Sequence, residues 1–218
     1  MNLQRVGGIA SVVNTFLWAF FLFILIVLFP RIGLVDPNDW RDAAKGIAAW
    51  SASPVTFSLL NLDFILMSIA TLLTILGIRQ RLQTDAQALM GITVIAGSVF
   101  SALWLAGALT DWGARASIAA TKDLSAYLSL ENSIQGLFSA AAHSLGWALL
   151  LSGWAALKSR KLRRIPIYLA MIGGLFFLLE FVIPFFGFIG SAFFIVASFW
   201  LGIALMKSTK EELRSLTQ

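Results

Sequence analysis

The chain has 218 residues, of which 59% are apolar and 12% charged, and it contains no cysteine. A soluble domain carries about 25% charged residues, so a water-facing globular fold is excluded, as are disulfides, iron–sulfur clusters, thiolate zinc sites and cysteine nucleophiles. The net charge of +5 and pI near 10.0 read as membrane topology and not as affinity for nucleic acid, because basic residues collect in the cytoplasmic loops of membrane proteins.

In chain order, a short segment from Met1 to Arg5 precedes an apolar run over 6–30 that is dense in Phe and Leu. A secretory signal has a shorter apolar core and a small-residue cleavage site. This run has neither and is read as a retained first span. Arg31 to Ser53 is rich in Asp, Trp and small residues and holds the turn signal Asp36-Pro37-Asn38-Asp39. The second span is expected over 54–78, opened by Pro54 in a helix first turn, and the third over 86–110. Asp111 to Leu130 is polar and long enough for a short surface helix. The fourth span is expected over 132–157, followed by the basic run Lys158, Arg160, Lys161, Arg163 and Arg164. The apolar stretch from Ile165 to Met206 is 42 residues, the length of two spans, 165–184 and 187–206, divided at Pro184-Phe-Phe-Gly187. A polar tail runs from Lys207 to Gln218.

Lipid cannot satisfy bare backbone groups, so each span is a helix or part of a closed barrel. Barrel strands alternate over about 10 residues, and these runs are continuous and about twice as long. The expected fold is all-α, a single bundle of six transmembrane helices over the whole chain. The N-terminus, the second and fourth loops and the tail carry eleven basic residues, against five (Arg31, Arg41, Lys45, Arg115, Lys122) on the other side. Positive residues stay inside, which puts both termini in the cytoplasm, as an even number of spans also requires. The outer side holds Trp40, Trp50 and Trp112 as interface anchors. The expected location is a bacterial cytoplasmic membrane, with the lipid bilayer as the obligatory partner and a homo-oligomer or larger membrane complex as a further one.

Ionisable groups within spans are costly and mark cavities or pathways. They are Asp63, His143 and Glu180. Glu131, Gln135, Ser139 and His143 recur every four residues, and i,i+4 neighbours share a helix face, so they read as one inward polar stripe. That stripe either hydrogen-bonds neighbouring helices or lines a wet site. Asp63 either bonds locally as a neutral carboxyl or handles a proton or cation. The lysines lie outside or at the edges of spans, which disfavours a retinal Schiff base. A single His excludes bis-His haem and multi-His metal sites; one axial His for a haem or chlorophyll-type pigment stays open, and no cofactor is identified. The pairs Gly97/Ser101, Ala102/Ala106 and Gly136/Ala140 read as packing positions, as do Gly173 and Gly174.

His143-Ser-Leu-Gly146, then Gly153, the basic loop and Ile165-Pro166-Ile-Tyr-Leu169-Ala-Met-Ile-Gly173 resemble a bacterial six-span integral-membrane family described only as a domain of unknown function; Arg5-Val-Gly-Gly-Ile-Ala10 is similar in a weaker way. The resemblance implies fold and location, and no catalytic residues. No nucleophile, metal-binding or nucleotide motif accompanies the intramembrane carboxylates, so an enzyme is not expected. The expected function is binding or transport of a small molecule or proton through a polar cavity open to the outer side, with His143, Ser139, Gln135, Asp63, Glu180 and Glu131 as its residues. The alternative is a non-catalytic accessory or structural subunit whose Phe-rich fifth and sixth spans contact lipid, pigment or a partner.

Overall fold

The computed structural model describes residues 2–36, 39–183 and 185–207. The turn at Asp36–Asp39, the break at Pro184 and the polar tail past Lys207 lie partly or wholly outside the described residues, as does the side chain of Trp40. The described residues form helices and turns, without a strand. Helix α1 spans Leu3–Arg31 and contains a π-helical stretch, Ile24–Leu28. Asn2 caps it by accepting from the Gln4 N–H at 3.1 Å. A short helix α2, Ala43–Ala52, is capped by the Asp42 side chain on the amides of Ala44 and Lys45. Asp39 ties the preceding loop together: it accepts from the Val35 and Asp36 amides at 2.8 Å and pairs with Lys45 at 2.6 Å. The Lys45 bond and the backbone amides hold its carboxyl down to about 2.

Pro54–Thr121 is helical over 68 residues but for Ala86, whose φ of −147° and ψ of 47° break the helix. We number its halves α3 (54–85) and α4 (87–121). They pack antiparallel: Ser101 Oγ donates to the Ser68 carbonyl at 2.9 Å. The expected loop at 79–85 is therefore helical, with the turn confined to one residue. The surface helix expected within 111–130 is likewise replaced. Helix α4 runs on to Thr121, Lys122 turns in the left-handed region at φ 55°, and α5 (Leu124–Ser159) starts under an Asp123 cap. The helix continues past 110 because Asp111 and Arg115 are paired and buried, and so tolerate the bundle interior. Helices α6 (Arg164–Leu179) and α7 (Phe186–Met206) complete the chain.

Neighbours pack in a ring. Helix α1 lies between α3 and α7, and α5 and α6 close the other side. Close approach is set by facing glycines. A Cβ on Gly77 would stand 2.8 Å from Gly7 Cα, and one on Gly174 would stand 2.8 Å from the Gly146 carbonyl. Gly97 and Ser101 face α3 as expected, whereas Ala102, Ala106, Gly136 and Ala140 point outward, away from the rest of the chain.

The centre of the ring is filled with aromatic rings, at least one from each long helix. Trp18 of α1 stands 5.9 Å from Trp104 of α4, 5.6 Å from Phe177 of α6 and 5.5 Å from Phe194 of α7. Phe64 of α3 and Phe138 of α5 pack on Trp104 at 5.2 and 4.7 Å. Four helices, Leu3–Arg31, Pro54–Thr121, Leu124–Ser159 and Phe186–Met206, are long and apolar enough to cross a membrane. Length, composition and helicity together define a helical membrane protein.

Candidate functional site

Three separate places hold the expected site residues. The first is a buried ionic chain at the end of the bundle where α2 lies. Asn61 Nδ2 of α3 donates to Asp111 Oδ2 at 2.7 Å. Asp111 pairs with Arg115 one turn further along α4. Arg115 Nη2 donates to Glu131 Oε2 of α5 at 2.9 Å. Gln135 Nε2 then reaches Glu131 Oε1 at 3.3 Å. Asp111, Arg115 and Glu131 are all at most 5% exposed. The guanidinium also stands 5.3 Å from the Phe57 ring and 5.4 Å from the Tyr127 ring, a geometry for cation–π attraction. Helix α2 closes over this region through Ala43 and Ile47, which pack on Tyr127. Two carboxylates and one guanidinium leave the cluster with a formal charge of −1.

Glu131 is the only member of the expected α5 stripe that is buried. Gln135 is exposed, and Ser139 and His143 are half-buried. The stripe is therefore not inward along its length. At 3.6 residues per turn, a four-residue step overshoots one turn by about 40°. Three such steps carry His143 about 120° around from Glu131, off the buried face.

The second place is the seam of α5 with α6. The His143 ring meets Phe181 edge-on at 5.9 Å. Glu180, the residue before it, lays its carboxyl against Gly187 in the first turn of α7, where a Cβ would fall 2.8 Å from that carboxyl.

The third place is Asp63, at the centre. It is 2% exposed, and neither carboxyl oxygen has a hydrogen-bond partner among the described residues. Gly7 packs on Gly77 and Asn14 Nδ2 donates to Thr71 Oγ1 at 3.0 Å. The same antiparallel register puts Asp63 level with Phe21 and Leu22, just before the π-helical stretch of α1. Phe64, the next residue, meets Phe21 at 5.4 Å. Asp63, Ala70 and Gly77 recur every seven residues, which keeps them on one face of α3, the one toward α1. In the adjoining aromatic layer the indole N–H groups of Trp18 and Trp104 are also buried and without partners. Asp63 and the adjoining layer thus hold an orphan carboxyl and two orphan donors among the described residues, a rare combination, since buried polar groups are nearly always paired.

The sequence reading missed two features. One is Arg115, taken for a loop residue of the outer side; its i,i+4 spacing from Asp111 was the available signal. The other is the polar face of α1. Gln4 Nε2 donates to the Leu205 carbonyl at 2.8 Å and Ser11 Oγ to the Ser198 carbonyl at 2.8 Å. Together with Asn14 these residues recur at helical spacing inside a run dominated by Phe and Leu.

Comparison with protein-family models, with curated proteins and with solved structures finds no match. The resemblance carried by His143 to Gly173 rests on those residues alone.

Proposed function

We propose that this chain is a non-enzymatic, multi-span protein of a bacterial cytoplasmic membrane that binds and moves a proton or a small polar solute at Asp63. The observation that carries this reading is a fully buried carboxyl with neither oxygen partnered among the described residues. An isolated carboxylate in a protein interior costs several kcal/mol. Asp63 must therefore hold a proton or meet a ligand that supplies donors. The indole N–H groups of Trp18 and Trp104 in the adjoining layer are further donors without acceptors among the described residues. The π-helical stretch of α1, which begins just past the level of Asp63, adds support, because such stretches gather at functional sites. The ionic chain from Asn61 to exposed Gln135 forms the polar approach from the outer side.

In this reading α1, α3, α4, α5, α6 and α7 each cross the bilayer. The start of α1 and the end of α7 meet through Gln4 and Leu205, as an even number of crossings requires. They meet at the end that carries Arg79, Arg81 and the 158–164 run, and this basic bias supports a cytoplasmic side for both termini.

The test is proton flux into proteoliposomes, read with an internal pH dye under an imposed potassium diffusion potential. The intact protein acidifies the lumen above the rate of protein-free vesicles. Asp63→Asn, incorporated to the same level, does not. Equal flux from the intact protein and the Asp63→Asn variant would remove Asp63 from the pathway.

A further inference from the structure

A groove of about 280 Å³ runs between α1 and α3 on the outside of the bundle. Its walls are Ile9, Val13, Leu66 and Ile69, each 43–49% exposed, and its floor is Ala10 and Ala70. The lining is entirely apolar. On α1 it extends from Val6 to Leu17, about 16 Å at 1.5 Å per residue. That is about half of the ~30 Å hydrocarbon core, the depth of one leaflet. The groove therefore begins at one membrane surface and ends near the midplane.

The end at which it begins is strongly basic. Arg5 directly precedes Val6, and Arg79 lies beyond Leu73 on α3; both are exposed. Arg81 and the run from Lys158 to Arg164 lie at the same end. The acid found there among the described residues is Asp85, which is already paired with Lys161 at 2.9 Å. A one-leaflet apolar slot with a cationic mouth matches an amphiphile with a single-leaflet tail and an anionic head. We infer that the α1–α3 groove is a binding site for an anionic phospholipid, with one acyl chain between Ile9, Val13, Leu66 and Ile69 and the phosphate at Arg5, one turn before Ile9. The inference rests on the bilayer setting and not on Asp63, so Asp63→Asn leaves it unaffected.

The test is native mass spectrometry of the full chain, titrated with phosphatidylglycerol and phosphatidylethanolamine of identical acyl chains. Each Lys or Arg at an anionic membrane surface is worth roughly five-fold in binding, so R5Q loses roughly five-fold of its phosphatidylglycerol binding and retains its phosphatidylethanolamine binding. R5K keeps the preference. Leu66→Trp, at an exposed wall position, fills the slot and weakens both lipids while leaving thermal unfolding unchanged. Equal binding of the two lipids by the natural sequence overturns the inference, as does an R5Q variant with its preference intact. A lipid-free dimer mass that Leu66→Trp abolishes would place a second copy in the groove and overturn it as well.

Discussion

Arg115 is held between two carboxylates and two rings, all buried, and its loss strands charge where water cannot reach it. Arg115→Met leaves Asp111 and Glu131 uncompensated, and breaking a buried pair in this way costs about 3–5 kcal/mol. Arg115→Lys keeps the charge but not the fork that serves Asp111 and Glu131 at once, and falls between. Denaturant unfolding in a mild detergent, followed by helix content, ranks the three proteins in that order. At this scale the sequence was partly informative. Asp63 stood out because a carboxyl among Leu, Ile and Phe has no cheap place to go, and it is indeed buried. Glu131 stood out for its spacing, yet its burial comes from Arg115, a partner that local spacing on α5 cannot reveal. Gln135 is exposed although it stands one turn from buried Glu131 and donates to it, so i,i+4 spacing alone did not show which positions are covered. Asn14 was overlooked, because one amide among aromatic residues barely changes the hydropathy of the run.

Helix crossings in this bundle are set by glycines that face glycines. Gly77→Leu forces α3 away from Gly7, an overpacking that costs about 1–3 kcal/mol. Gly91 has open space around it, so Gly91→Ala removes only backbone freedom and gains about 0.5–1 kcal/mol. Thermal unfolding of the pair gives shifts of opposite sign; a gain of stability in both would mean that helix propensity, not close approach, governs these positions. The elements themselves were legible as apolar runs, and the expected 187–206 and 6–30 segments are helices with ends displaced by a few residues. The ends were less legible wherever charge enters a helix. Residues 79–85 and 111–121 look like loops by composition and are helical, because Asp85 and Asp111 find basic partners across or along the fold. The turn at Ala86 carries no Gly or Pro and gave no signal.

For the molecule as a whole, the proposed topology puts the α3–α4 turn in the cytoplasm and the α4–α5 turn outside. The chain has no cysteine, so single-cysteine variants report without background. Gln83→Cys is expected to react with a membrane-impermeant maleimide only after the cells are opened, and Ala120→Cys in intact cells. Both residues are exposed, and reversed accessibility would invert the bundle. The architecture was legible from composition because 59% apolar content leaves a chain of this length few alternatives to membrane helices. The aromatic layer at the centre was not, because every long helix contributes to it and no single helix shows the set. The proposal turns on what Asp63 does beside that layer. Its most direct test is the infrared difference spectrum of the protein in lipid as external pH is stepped. The account predicts a carboxylic C=O band that responds to the step and vanishes in Asp63→Asn. A spectrum identical in the two proteins would mean that the Asp63 carboxyl exchanges no proton, and would contradict the account.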